Sequence, residues 1–117
     1  MLRLFERSEK GMFVSLNGRT FYFNKNISDI IRKEGYKYTE IWYEPEHRIL
    51  YFKLLKKRTP DAYTLHYLKN FSGILCGALG IIKFLKIRRN RYPCNYDPEN
   101  RTISLEYEVD HDDNDKN

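Results

Sequence analysis

Tyr43-Glu44-Pro45-Glu46-His47-Arg48 returns 53 residues later as Tyr96-Asp97-Pro98-Glu99-Asn100-Arg101, with four identities and one Glu/Asp exchange. Each copy reads as the turn of a hairpin. Proline at the second turn position has its φ already set for a type I turn, an acidic residue precedes it, and a residue tolerant of the left-handed region can close it. The flanks repeat as well. At this offset Thr39, Ile41 and Tyr43 fall on Tyr92, Cys94 and Tyr96, and Leu50, Phe52 and Leu54 fall on Ile103, Leu105 and Tyr107. Because strand side chains alternate with period two, the same face is buried in both copies. The expectation is a mostly β (α+β) protein, a small pseudo-twofold barrel or sandwich of two ββαβ-type halves with two short helices. Its halves are residues 11–54 and 64–107 with a linker at 55–63, in one domain of residues 1–109. His47 and Asn100 should then occupy equivalent places.

The remaining elements follow from local signals. Asn17-Gly18 supplies the two positive φ values of a type I′ turn, so residues 12–16 and 19–23 should pair with Val14 facing Phe21 and Met12 facing Phe23. Asn26 is the expected cap of a first helix, with Asp29 in its first turn, Ile27, Ile30 and Ile31 at helical spacing, and Gly35 at its stop. Strands are expected at 38–43 and 49–55. In the second half, 63–68 and 73–76 should be strands, with Asn70 and Phe71 where the first half has Asn17 and Gly18. Ile81, Phe84 and Leu85 mark a second helix, and 92–96 and 103–109 the last strands. The expected core is Val14, Phe21, Phe23, Ile30, Ile31, Ile41, Leu50, Phe52, Leu75, Phe84, Leu85, Cys94, Ile103 and Leu105. Leu2, Leu4 and Phe5 are candidate anchors in an N-terminal stretch with no assigned structure.

A chain of 117 residues, 41% hydrophobic and 15% aromatic with ten tyrosines, has a globular composition and enough apolar mass for one core. Its longest apolar stretch, residues 71–87, is interrupted by Lys83 and Lys86, so no membrane span is expected. The N-terminus lacks a secretory pattern, so the expected location is the cytoplasm, the host's if the protein is viral. Cys76 and Cys94 have no metal-type spacing and fit buried free thiols. Net charge is +5; from Glu108 onward five acids and one lysine contribute −4, which leaves +9 on residues 1–107. That is a basic body with an acidic tail, residues 110–117, too polar to fold on its own.

Residue types suited to catalysis do not cluster. His47 falls in a turn, His66 on a strand and His111 in the tail, none with metal-ligand spacing to a cysteine, histidine or carboxylate. Asp110, His111, Asp112, Asp113 and Asp115 lack the glycine and distal glutamate of a calcium loop. No phosphate-binding glycine loop appears. The expectation is a non-enzymatic protein with no cofactor and no metal.

The basic residues form two segments: Lys56, Lys57 and Arg58 in the linker, and Arg88, Arg89 and Arg91 after the second helix, preceded by Lys83 and Lys86. Arginine forks suit phosphate oxygens, and Tyr36 and Tyr92 are candidates to stack on single-stranded bases.

The first half resembles the AbrB/SpoVT swapped-hairpin domain. The similarity rests on Asn17-Gly18-Arg19-Thr20-Phe21-Tyr22-Phe23, the helix beginning Ile27-Ser28-Asp29-Ile30-Ile31, and the acidic turn after Tyr43. It covers residues 13–54, and 66–107 more weakly. That resemblance implies a barrel of two interlocked units, here supplied by one chain, and a DNA-facing arginine at Arg19. The family's basic pair at the helix start falls on Ser28 and Asp29, and the second half has Ser72-Gly73 in place of Gly-Arg. In composition the chain also resembles small proteins of archaeal viruses and mobile elements. The reading is thus a nucleic-acid-binding protein, DNA ahead of RNA, of the kind of an AbrB-like transcriptional regulator. Its contact residues are Arg19, Lys56, Lys57, Arg58, Lys86, Arg88, Arg89 and Arg91. The alternative is a protein-interaction or self-assembly module, with a protein partner or a second copy on the exposed tyrosines and strand edges.

Overall fold

The alternating flanks of the two hexapeptides build two hairpins of the same register. The computed structural model describes residues 11–69 and 73–110. Among these residues the chain forms β1 (Phe13–Asn17), β2 (Thr20–Phe23), α1 (Lys25–Glu34), β3 (Tyr38–Glu44), β4 (Ile49–Leu55), β5 (Tyr63–Thr64), β6 (His66–Tyr67), β7 (Ile74–Gly77), α2 (Leu79–Leu85), β8 (Arg91–Asp97) and β9 (Thr102–Glu106). Tyr43 pairs with Leu50 in the first hairpin and Tyr96 with Ile103 in the second, each pair displaced by the same 53 positions. His47 and Asn100 therefore stand at equivalent places in equivalent four-residue loops.

All pairs are antiparallel, in the order β5-β3-β4-β9-β8-β1-β2-β7-β6. Exchanging the halves leaves this scheme unchanged: β3–β4 becomes β8–β9, β1–β2 becomes β6–β7, and the β4–β9 and β2–β7 contacts map onto themselves. β1 pairs with both β2 and β8. Its counterpart is broken at Leu65, so β5 pairs with β3 while β6 pairs with β7. The two ends of the sheet are thus consecutive in the chain, and the sheet nearly closes into a barrel.

The hexapeptides also join the halves. The left-handed residues of the two turns are Arg48 (φ 54°) and Arg101 (φ 52°) rather than His47 and Asn100. The amide of Tyr107 donates to the Arg48 carbonyl and the amide of Leu54 to the Arg101 carbonyl, both at 2.8 Å. A side chain in that conformation costs about 1–2 kcal/mol, and the same departure occurs at both turns.

The barrel interior is filled by the inward set of each strand. Phe52 is fully buried and meets Phe21 and Phe23 edge-on, with centroids 5.0 and 5.3 Å away. Val14, Leu50, Leu54, Ile74, Cys76, Ile103 and Leu105 surround them. Ser28, on the buried face of α1, donates to the Phe23 carbonyl at 2.8 Å, so the helix start is tied to the end of β2.

Several expectations are corrected. The first hairpin pairs Val14 with Phe23 and Leu16 with Phe21. The turn is displaced by one residue because positive φ occurs only at Gly18 (78°), where the Arg19 amide bonds the Asn17 carbonyl at 3.0 Å and closes a tighter turn than type I′. The pairing sum changes by two, so the same side chains still face inward. Asn24, not Asn26, caps α1, accepting from the Ile27 amide, and Asp29 lies beyond the first turn. Asn26 instead donates to the Gly11 carbonyl. Phe84 is 69% exposed because α2 packs through Ile82, with Ile81 and Leu85 half-buried beside it. Ile30, Ile41, Leu75 and Cys94 are half-buried rather than central. Their core places are taken by Leu16, Leu54, Leu65, Ile74, Ile87 and three tyrosines, Tyr36, Tyr92 and Tyr107. The last strand ends at Glu106, and Val109 makes a separate bridge to Ile87. The expected turn at Asn70 and Phe71, the candidate anchors Leu2, Leu4 and Phe5, and the acidic tail from residue 111 onward lie outside the described residues.

Candidate nucleic-acid interface

The pseudo-symmetry produces two equivalent places where the chain leaves a helix, turns through a left-handed residue and enters a strand. At the first, α1 stops at Gly35 (φ 79°) and the buried Tyr36 turns Lys37 outward. The Lys37 amide donates to the Leu55 carbonyl at 2.9 Å, which lays this corner beside the end of β4, where the exposed Lys56, Lys57 and Arg58 follow. The Lys37 carbonyl accepts from the Leu65 amide at 2.9 Å, which brings in the broken strand. Around that seam lies a groove of about 320 Å³ lined by Lys37, Tyr38, Thr64, Leu65, His66 and Tyr67.

The cations here rest on rings and hydroxyls. Arg58 lies 5.3 Å from the Tyr38 centroid and donates to Thr64 Oγ1 at 3.2 Å. The Lys56 ammonium is 6.0 Å from the Tyr36 centroid. Arg32 stacks 5.5 Å from the Tyr67 ring and donates to the Gly73 carbonyl at 3.2 Å. The Tyr67 hydroxyl donates to the Tyr36 carbonyl, and burial holds its pKa above the ordinary tyrosine value, so it stays neutral. Among the described residues no carboxylate forms an ion pair with Lys37, Lys56, Lys57 or Arg58, although Asp61 lies in the same loop.

The second place is α2, the left-handed Lys86 (φ 53°) and the approach to β8. Here the Arg88 amide donates to the Glu108 carbonyl at 2.7 Å, the counterpart of Lys37 and Leu55. The Arg88 guanidinium lies 3.9 Å from the Glu108 carboxylate and 4.0 Å from that of Asp110. Asn90 donates to the same Glu108 carboxylate at 2.9 Å. Arg91 covers the Phe13 ring at 4.0 Å, and Arg89 donates to Asn17 Oδ1 at 3.3 Å, beside the turn that carries Arg19. Ion pairs this exposed add less than about 1 kcal/mol to stability, yet they fix the charge an approaching phosphate meets.

The eight expected contact residues thus divide. Arg19, Lys86, Arg88, Arg89 and Arg91 gather around the second corner, with Glu108 and Asp110 among them; Lys56, Lys57 and Arg58 belong to the first. Lys37, Tyr38, His66 and Tyr67 were not among the expected contact residues. The signal for the difference between the corners was the repeat itself: at the hexapeptide offset Glu108 and Asp110 fall on Leu55 and Lys57. Tyr36 and Tyr92 cannot stack on bases, being only 3% exposed. The Tyr92 hydroxyl instead donates to the Arg88 carbonyl.

Both cysteines are free, and burial pushes each thiol up to about 12, so neither is a ready nucleophile. Among the described residues no three histidine, cysteine, aspartate or glutamate side chains converge on a metal-sized site, and no helix is long and apolar enough to cross a membrane. Comparison with known protein families, with curated proteins and with solved structures finds no match.

Proposed function

We propose that the protein is a non-enzymatic nucleic-acid-binding protein that holds the phosphate backbone, of DNA ahead of RNA, at the first corner. The observation that carries this is the meeting of two separate basic segments at one groove: Lys37 lines it beside Tyr38 and Tyr67, and Arg58 reaches its Tyr38 and Thr64 walls from the end of β4, with the exposed Lys56 and Lys57 next to it in the chain. Cations that follow a backbone beside aromatic faces suit single strands, whose bases are free to stack. An AbrB-like regulator in which one chain supplies both barrel units is the form this proposal takes, with Arg19 as a further contact at the tip of the first hairpin. Arg19 is exposed, does not line the groove and lies beside the Asn17 that Arg89 bonds, so it is a second point of contact.

The test is titration of labelled single-stranded and duplex DNA at about 50 and 200 mM salt. Neutralising n phosphates gives a slope of log affinity against log salt of roughly −0.7n for single strands and −0.9n for duplex. Four seam cations predict a single-strand slope near −3, by that relation. Absence of binding at about 50 mM salt, where counterion release is most favourable, would sink the proposal.

A further inference from the structure

β3 pairs with β4 along its whole length, from Tyr38 with Leu55 to Glu44 with Ile49. On its other side only Tyr38 and Thr39 pair, with β5. Among the described residues, positions 41–44 have no main-chain partner on that side. Such an edge is a template for another strand, and proteins usually shield it with charge, proline or a bulge. The shield here is acidic, with Glu40 and Glu44 at its two ends.

The same edge carries aromatics on both faces. Trp42 is 59% exposed on the outer face, next to Tyr51 across the strand pair. On the other face Tyr43 meets the ring of Phe84 edge-on at 5.9 Å, and Phe84 is itself largely in water. A strand laid here would find a ring for alternate side chains above and below the sheet. The corresponding edge of β8 lacks these features: Asn95 stands for Trp42, Pro93 removes a donor, and the Cys94 amide is bonded to the Met12 carbonyl at 3.1 Å.

We propose that the open edge at residues 41–44 is a strand-addition site for an extended, lysine- or arginine-bearing segment of a partner protein. Charge decides among the occupants. A second copy pairing antiparallel about Trp42 would set Glu40 opposite Glu44 twice, and like charges directly opposite destabilise a sheet pair. A nucleic acid would meet Glu40 and Glu44 on the strand itself, and in the adjoining 500 Å³ groove the cation Lys53 is offset by Asp97. A basic segment meets two acids four positions apart on one face of the strand, where Glu40 has Lys53 opposite it on β4 and Glu44 contacts His47, so its cations add to a half-built charge row. Hydrogen bonds from Thr59 Oγ1 (2.6 Å) and the Trp42 indole (3.1 Å) keep the Glu40 carboxyl ionised and fixed in place.

Trp42 is the single tryptophan of the chain and therefore reports on its own edge. The experiment follows its emission while the whole protein is titrated with a capped hexapeptide of alternating lysine and valine. Controls are the glutamate–valine hexapeptide and the lysine–valine peptide with every backbone amide methylated. The expected result is a saturable blue shift with the first peptide alone, and affinity about five- to tenfold weaker in the Glu40→Gln/Glu44→Gln variant, as for two partly exposed ion pairs. No saturable shift, equal binding of the glutamate peptide, or equal binding of the methylated peptide would overturn the proposal. A blue shift that grows with protein concentration without peptide would assign the edge to a second copy and overturn it too. The wild-type peptide comparison decides the matter even if the double variant does not fold.

Discussion

Two corners of this barrel share a pattern of main-chain bonds and differ in what partners their cations. At one, Lys37 lies against the end of β4, which continues into Lys56, Lys57 and Arg58; at the other, Arg88 lies against the residues after β9, Glu108 and Asp110. Each uses a left-handed residue to leave its helix, a buried residue to fix the turn and a main-chain bond to the neighbouring strand. A run of arginines in sequence is therefore a poor guide to positive potential in space. What counts is whether the strand laid beside it brings acids.

The largest expected effect tests the shared scaffold. Phe52→Ala removes the ring that meets Phe21 and Phe23 and should cost about 3–5 kcal/mol, read as a drop in the denaturation midpoint. If both corners sit on one core, amide protection in the two helices should fall together. Loss confined to the first half would mean that the halves are stabilised separately.

Next come the twin turns. Arg48→Gly and Arg101→Gly each relieve a left-handed side chain, and each should stabilise by roughly 0.5–1 kcal/mol after the added backbone entropy of glycine. The two gains should agree, since the two carbonyls make the same bond to the opposite hairpin. A clear difference would show that the pseudo-symmetry is one of topology and not of energetics.

A smaller effect concerns pH at the first corner. Hydrogen bonds from Thr59 and Trp42 hold the Glu40 carboxyl below its ordinary value. A carboxyl lowered in the folded state contributes stability above its unfolded pKa, and that contribution is lost as pH falls through the folded value. Trp42 emission should therefore change on acidification below the ordinary glutamate range, while the barrel is still folded, and Glu40→Gln should diminish the change. An unchanged transition in that variant would remove Glu40 as the link between β3 and the basic loop.

Much of this was legible in the chain. Period-two alternation around Tyr43 and Tyr96 placed four strands and their register, because a buried face allows only one parity. It could not place Phe84: at helical spacing Ile82 serves the core as well as Phe84 does, and only the position of α2 over the barrel chooses between them. Nor could it show that residues 63–68 break at Leu65, since the break depends on two different strands competing for one segment. Tyr36 and Tyr92, expected as base-stacking candidates, are core residues instead, and Tyr92 satisfies its hydroxyl on the Arg88 carbonyl. At the site, Lys56, Lys57 and Arg58 were visible as a charge run, while Lys37 and the seam aromatics converge with them only through the main-chain bonds of the corner.

The measurement that bears most directly on the contrast between corners is a paired salt titration on a labelled single-stranded DNA. One variant carries Lys56→Ser, Lys57→Ser and Arg58→Ser, the other Arg88→Ser, Arg89→Ser and Arg91→Ser. Removing three phosphate contacts should lower the salt slope by about 2 and weaken binding well over tenfold at low salt. That outcome is predicted for the first variant, with the second staying close to wild type in slope. The reverse pattern, or equal losses from both, would contradict the assignment of the contact surface to the first corner.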